Sequence, residues 1–273
     1  MNNTLTIPCA YQGGKQRIAG KIVDKIINYI GYNTIFYDLC CGSGAISIEL
    51  VNRGINPKNI VMVDQSPWGL FWKKIGEGSF SLDMFKCYID AVPKDISKIQ
   101  EWIKKESKLP ATYDIVCRFL LLQASSFGSK SIWIKDNKWQ NTSFRSYWLP
   151  TETSSRRSPV NPMMPMPETL LKRVEKIVVE MEGVTGYWDD CNNINIKSKS
   201  VIYIDPPYNK TTKYGFEFDY MEFINKYKND NIIFLSEGNK LSETAWNLTD
   251  RRNKGGISGE RKKVNDEWLN LFG

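Results

Sequence analysis

Apolar positions near the N-terminus recur at helical spacing: Ile18, Ile22, Ile26 and Ile30 share one face, which predicts an amphipathic helix over about residues 17–30. TIFYDL (34–39) then predicts a strand. Beyond CCGSG, Ile46, Ile48, Leu50 and Val51 predict a second helix that runs to Arg53 and stops at Gly54. NIVMVD (59–64) predicts the next strand, ending at Asp64. Strand, glycine turn, helix, strand is the opening unit of a parallel doubly wound α/β sheet.

From about residue 80 to 180 the strand rhythm is lost. Helical patterns at EWIKKES and DIVCRFLLLQASS precede SIWIKDNKWQ, which predicts a hairpin turning at Asp136 and Asn137. TETSSRRSPVNPMMPMP has no regular period and reads as a loop, and a helix from about Glu168 to Glu182 follows. Strands resume at VIYID and NIIFLSE, with a helical FDYMEFINKY between them. The expected organisation is a sheet domain from residues 1–78 and 184–273, interrupted by an insertion over 79–183.

The 273-residue chain is long enough for a substantial core. It shows neither a long apolar run nor a basic-then-apolar leader, so a soluble, cytoplasmic protein of a bacterial or phage-infected cell is expected, as a monomer or weak dimer. The chain has no histidine, which excludes His-based triads and His-ligated metals, and its six cysteines lack C-x-x-C spacing. No metal is expected. Cys40 and Cys41 read as small packing residues. The net charge is +7, with cations gathered at Lys130, Lys135, Lys138, Arg145, Arg156 and Arg157 and again at Arg251, Arg252, Lys254, Arg261, Lys262 and Lys263. A polyanionic partner and a merely basic surface both fit that excess.

The glycines at 42 and 44 stand where strand turns to helix, and Asp64 ends the following strand. Glycine permits the tight turn and close approach of a ligand, and the acid can accept from both hydroxyls of a ribose. An adenosine cofactor is expected. A dinucleotide site would want a third glycine where Ser47 stands, and Asp38 at the first strand's tip would repel a diphosphate but attract a sulfonium and an ammonium. S-adenosylmethionine fits that crevice better than NAD.

YQGGK (11–15), DLCCGSG (38–44), Asp64 and DPPY (205–208), in this order, resemble the motifs of Dam-like DNA adenine-N6 methyltransferases. ISGERKKVNDEWL resembles that group's closing motif, and SFGSK (126–130) resembles phage-type members more weakly. The similarity spans nearly the whole chain but is thin between about 75 and 185. Two departures stand out: Tyr11 takes a place often held by tryptophan, and DLCC replaces a Glu-Pro-Phe-like run.

The resemblance implies a Rossmann-like S-adenosylmethionine-dependent methyltransferase sheet with an inserted, mostly helical target-recognition subdomain. It implies S-adenosylmethionine at Tyr11, Gly13, Gly14, Lys15, Asp38, Gly42, Gly44, Asp64, Asp205 and Asp189, with Asp190 fitting the last place nearly as well. It implies transfer to a flipped adenine at Asp205, Pro206, Pro207 and Tyr208. The amine's lone pair is delocalised into the ring, and accepting its hydrogens at Asp205 and the Pro206 carbonyl would aim that pair at the methyl carbon. Pro207 would hold that carbonyl outward, and Tyr208 would stack on the base. Double-stranded DNA would be held by Lys130, Arg145, Arg156, Lys210 and Lys213, with Arg145, Asn137, Gln140, Asn141 and Arg156 offering base contacts. The hairpin could enter a groove or pack as structure. A cytosine-N4 or RNA methyltransferase, or an inactive DNA-binding protein, are the alternatives, and a restriction partner is left open. Asp205, where a cytosine-N4 enzyme typically has serine, favours adenine.

Overall fold

A computed structural model describes residues 4–161, 163–206, 218–249 and 266–273. The first predicted helix forms as α1 (Ala19–Ile26) and tightens into a 3-10 turn over Ile27–Tyr29, with Ile18, Ile22 and Ile26 buried. The strand β1 (Phe36–Leu39) follows, all four residues buried. Helix α2 (Ala45–Asn52) starts from left-handed Gly44, and left-handed Gly54 lies just past its end. Strand β2 (Ile60–Val63) leads to α3 (Pro67–Gly76), which the periodicity did not single out. Ser66 caps α3 by accepting from the Trp68 amide, and Pro67 takes the first turn, where no N–H is needed.

The inserted segment carries α4 (Leu82–Asp90), α5 (Ile99–Glu106), α6 (Ile115–Ser125), the hairpin β3 (Trp133–Lys135) and β4 (Lys138–Gln140), and α7 (Pro167–Glu180). Asp136 and Asn137 both have positive φ, the conformation a two-residue hairpin turn requires. Ile132 and Trp139 are buried while Lys135 to Lys138 are exposed, so the hairpin's base packs as structure and its tip faces solvent. Helix α6 is buried along nearly its whole length, and Phe119 meets Trp68 of α3 edge to face at 5.0 Å. The insertion therefore shares one continuous apolar core with the sheet.

The chain then returns to the sheet through β5 (Thr185–Tyr187), β6 (Val201–Ile204), α8 (Tyr220–Tyr227), β7 (Ile232–Glu237), β8 (Ala245–Asn247) and β9 (Trp268–Phe272). The seven-stranded order is β5-β2-β1-β6-β7-β9-β8. The first five strands are mutually parallel; β9 runs antiparallel to both β7 and β8. Among the described residues this is a mixed α/β architecture with a mostly parallel sheet, compatible with a Rossmann-like fold. Also among them, no helix is long and apolar enough to cross a membrane.

Strand alternation sorts the two faces. Phe36, Val201, Tyr203 and Phe234 point into the larger core with α1, α2, α3 and the insertion, while Tyr37, Leu39, Ile202, Ile204, Ile233 and Leu235 point into a smaller core under α8. Asp38 pairs in register with Tyr203 on the larger side. Because β1 has β2 on one flank and β6 on the other, the chain leaves it in opposite directions, and a crevice opens there beyond the carboxyl ends of the strands.

Candidate functional site

That crevice is lined by parts of both N-terminal motifs and by β6: Tyr11, Gly14 and Lys15, then Asp38, Cys40, Cys41, Ser43, Ala45 and Ile46, then Tyr203 and Asp205. Of the residues expected to act on a cofactor, Tyr11, Gly14, Lys15, Asp38 and Asp205 are thus brought together. Asp205 continues β6 and donates its backbone N–H to the Leu39 carbonyl at 3.2 Å, which extends the pairing with β1 by one residue. Pro206 follows it, buried. Pro207, Tyr208, Lys210 and Lys213 lie outside the described residues, as do Arg251, Arg252, Lys254, Arg261, Lys262 and Lys263.

Lys15 is 7 % exposed and its Nζ lies 2.9 Å from Asp205 Oδ1. It also lies 3.3 Å from Glu267 Oε1 and 3.4 Å from Oε2. Burial works against the ammonium charge, but Asp205 and Glu267 overcome it and hold the lysine above its ordinary pKa. For Asp205, burial pushes the carboxyl up to about 7, Lys15 pulls it down, and Glu267 and Glu237 push it up again. Sequence reading missed Glu267 as an individual; its only signal was membership of the closing motif just before β9.

Asp38 is 1 % exposed and accepts from the Ser47 hydroxyl at 2.6 Å. Burial raises it to about 7 against that bond, with Asp205 and Asp64 adding repulsion. Ser47, noted in sequence only as the place of a missing third glycine, is a built-in donor for the acid. Beside Asp38, the Tyr203 hydroxyl meets Ser236 Oγ at 2.8 Å, and burial holds the phenol well above its usual range.

Gly42 and Gly44 have φ of +50° and +75°, as the turn demands. The space a Cβ would fill is taken by aromatic rings: at Gly42 it would meet the Tyr11 ring at 2.7 Å, at Gly44 the Trp72 ring at 2.3 Å. Trp72 also donates its indole N–H to the Gly42 carbonyl at 2.9 Å. The side-chain face of both glycines is thus used for ring packing.

Asp64 is largely occupied within its own turn. Its Oδ2 accepts from the Gly42 N–H at 2.7 Å, and its Oδ1 from the Ser66 N–H and hydroxyl at 2.8 and 2.6 Å. A carboxylate offers about four acceptor sites, so one remains, which suits one ribose hydroxyl rather than two. Burial raises its pKa, opposed by the Ser66 and Gly42 bonds.

Asp189 is exposed and lies outside the crevice lining; it accepts from the Asn193 side chain at 2.7 Å, which with the Asp190 N–H lowers its pKa. Asp190 bonds Gln65 and accepts from the Asn192 N–H at 2.8 Å. Gly13 is exposed with φ +78°, at the bend of the YQGGK turn. Cys40 Sγ lies 3.8 Å from Cys191 Sγ, and that contact with burial keeps the Cys40 thiol protonated.

The SFGSK segment is tied to this centre: the Gln12 N–H donates to the Ser129 carbonyl at 2.7 Å, and the Tyr11 hydroxyl to Ser131 Oγ at 3.5 Å. Lys130 and Arg156 are exposed. Arg145 is half-buried, 5.4 Å over the Phe127 ring, and donates to Asn161 at 3.3 Å; burial lowers its pKa. Of the residues expected to contact bases, Asn137 is exposed at the hairpin tip, while the Asn141 side chain donates inward to the Ser131 carbonyl at 2.7 Å.

Fold and site define a mixed α/β protein with a mostly parallel sheet, compatible with a Rossmann-like fold, and an acidic crevice between β1 and β6. Among the described residues no group of three or more acids and cysteines is placed to hold a metal. No protein-family model matches the chain, and no curated protein matches it.

Proposed function

We propose that this protein is an S-adenosylmethionine-dependent methyltransferase acting on the exocyclic amine of adenine in DNA. The observation that carries the reading is Asp205, held at the tip of β6 beside Asp38 and paired with Lys15 of the YQGGK turn, in the crevice between β1 and β6. The donor chemistry fits the cofactor: Asp38, buried, and Asp205, half-buried, both raised to about 7, would be drawn into the ionised state by a cationic ligand, whereas they would repel a diphosphate.

When bound, S-adenosylmethionine supplies an electrophilic methyl group. Asp38 and the one open acceptor site of Asp64 would hold its polar parts. Asp205 accepts a hydrogen of the target amine and orients its lone pair, which is catalysis by position and charge. The base must leave the duplex to reach Asp205. The cations near SFGSK, linked to the YQGGK turn through Ser129, would bear on DNA phosphates.

Incubation of unmethylated DNA with radiolabelled S-adenosylmethionine, then nucleoside digestion, tests this reading. Label in N6-methyladenine is expected. Label in a cytosine, in RNA only, or in no base sinks it, and Asp205→Ala should abolish transfer while cofactor binding stays detectable.

A further inference from the structure

One buried cation, Lys15, lies between two carboxylates, and only one of them is needed by the amine. Lys15 takes one acceptor site of Asp205, on Oδ1, and its charge lowers the basicity of the whole carboxylate. Glu267 offers both its oxygens to the same ammonium, at 3.3 and 3.4 Å, from the residue that precedes β9. We propose that Glu267 is a positioning residue for Asp205: it holds the Lys15 ammonium from the other side and restores the negative charge that Lys15 cancels. This rests on the methyltransferase reading of the site.

The charge balance gives the device its use. As the nitrogen–methyl bond forms and the sulfur–methyl bond breaks, the amine becomes positive and must shed a proton. Asp205 takes that proton and passes it to solvent. A lone Lys15–Asp205 pair would be a poor acceptor, because the ammonium stabilises the carboxylate as it stands. With Glu267 beside Lys15 the cluster keeps an excess negative charge, and Asp205 is the better base. Among the described residues, the titratable groups facing Asp205 are Lys15, Glu267, Glu237, Tyr203, Asp38 and Cys40. Glu237 belongs to β7, and Glu267 holds the lysine together with Asp205.

Glu267→Gln keeps the shape and an acceptor for Lys15 but removes the charge. Its kcat for DNA methylation should fall about tenfold with KM for DNA and cofactor within twofold, and the acid limb of its pH profile should move to lower pH, because the repulsion that raises Asp205 is gone. Glu267→Asp should recover most of the rate. In parallel, the Asp205 side-chain carboxyl, assigned by its loss in Asp205→Asn, is titrated by carbon-13 NMR in the wild type and in Glu267→Gln. A lower midpoint in the variant supports the coupling. An unmoved midpoint overturns it, as do an unmoved acid limb and an unchanged kcat in an active enzyme. A wild type that labels no base overturns the methyltransferase reading instead, and the NMR midpoint still decides the role of Glu267.

Discussion

Ser47 donates its hydroxyl to Asp38 at 2.6 Å, so the first residue turn of α2 supplies the partner for an acid at the tip of β1. That bond offsets only part of the burial cost, and the acid remains raised to about 7. Asp205 is raised likewise. Between the unfolded value of 3.8 and the folded value near 7 the native state binds more protons than the unfolded chain, so stability falls as pH rises through that window. Each group should make the ligand-free protein about 1 kcal/mol less stable at pH 8 than at pH 6. Asp38→Asn should at least halve that slope, stabilise the protein at pH 8 and weaken S-adenosylmethionine binding. Urea titrations at the two pH values check this, and equal slopes in variant and wild type would refute it.

Breaking the Lys15–Asp205 pair leaves a carboxylate without its cation. Lys15→Met should cost about 3 kcal/mol at pH 8, where Asp205 would otherwise be charged, and less at pH 6, where it can take a proton. An equal loss at both pH values would mean that Lys15 acts by packing rather than by charge.

The contact between the Tyr11 ring and Gly42 makes a second coupled pair. Gly42→Ala should destabilise by about 2–3 kcal/mol, from the left-handed backbone and the ring overlap together. In a Tyr11→Ala background only the backbone part, about 1 kcal/mol, should remain. A double-mutant cycle of chemical denaturation measures the difference, and strict additivity would show that the ring yields without cost.

Lys130 is exposed just beyond Ser129, which the YQGGK turn holds. If it meets a phosphate, Lys130→Ala should weaken DNA binding to a similar extent on any sequence and reduce the slope of log affinity against log salt by about 1. Fluorescence anisotropy over a salt series reads this. A change confined to one DNA sequence would point to base contact instead.

Much of this architecture is legible without coordinates. The apolar runs of β1 and β6 follow from burial on both faces, and α1, α2, α6 and α7 follow from their apolar pattern, with Gly54 marking the end of α2. The alternation of strand residues also puts Asp38 on one face of β1, and Tyr203 and Asp205 two apart along β6. Strand β5 was not legible, because it has three residues and its central Gly186 is there for close approach: a Cβ would lie 2.1 Å from the Lys73 nitrogen of α3. Strand β8 escaped for the same reason, having three residues, whereas β9, with five, was read only in part, through the closing motif.

What the sequence by itself determined is which chemistry is present: carboxylates at strand tips, glycines where a strand must turn into a helix, and a lysine after a glycine pair. These are local consequences of backbone sterics and of side-chain period. The tertiary structure alone decided how that chemistry is shared out. It brought Lys15 between Asp205 and Glu267, engaged most of Asp64 in the turn it closes, gave Asp38 its donor from α2, and filled the glycine faces with Tyr11 and Trp72. Each of these depends on residues distant in the chain meeting in a low-dielectric interior, and no local pattern encodes such a meeting.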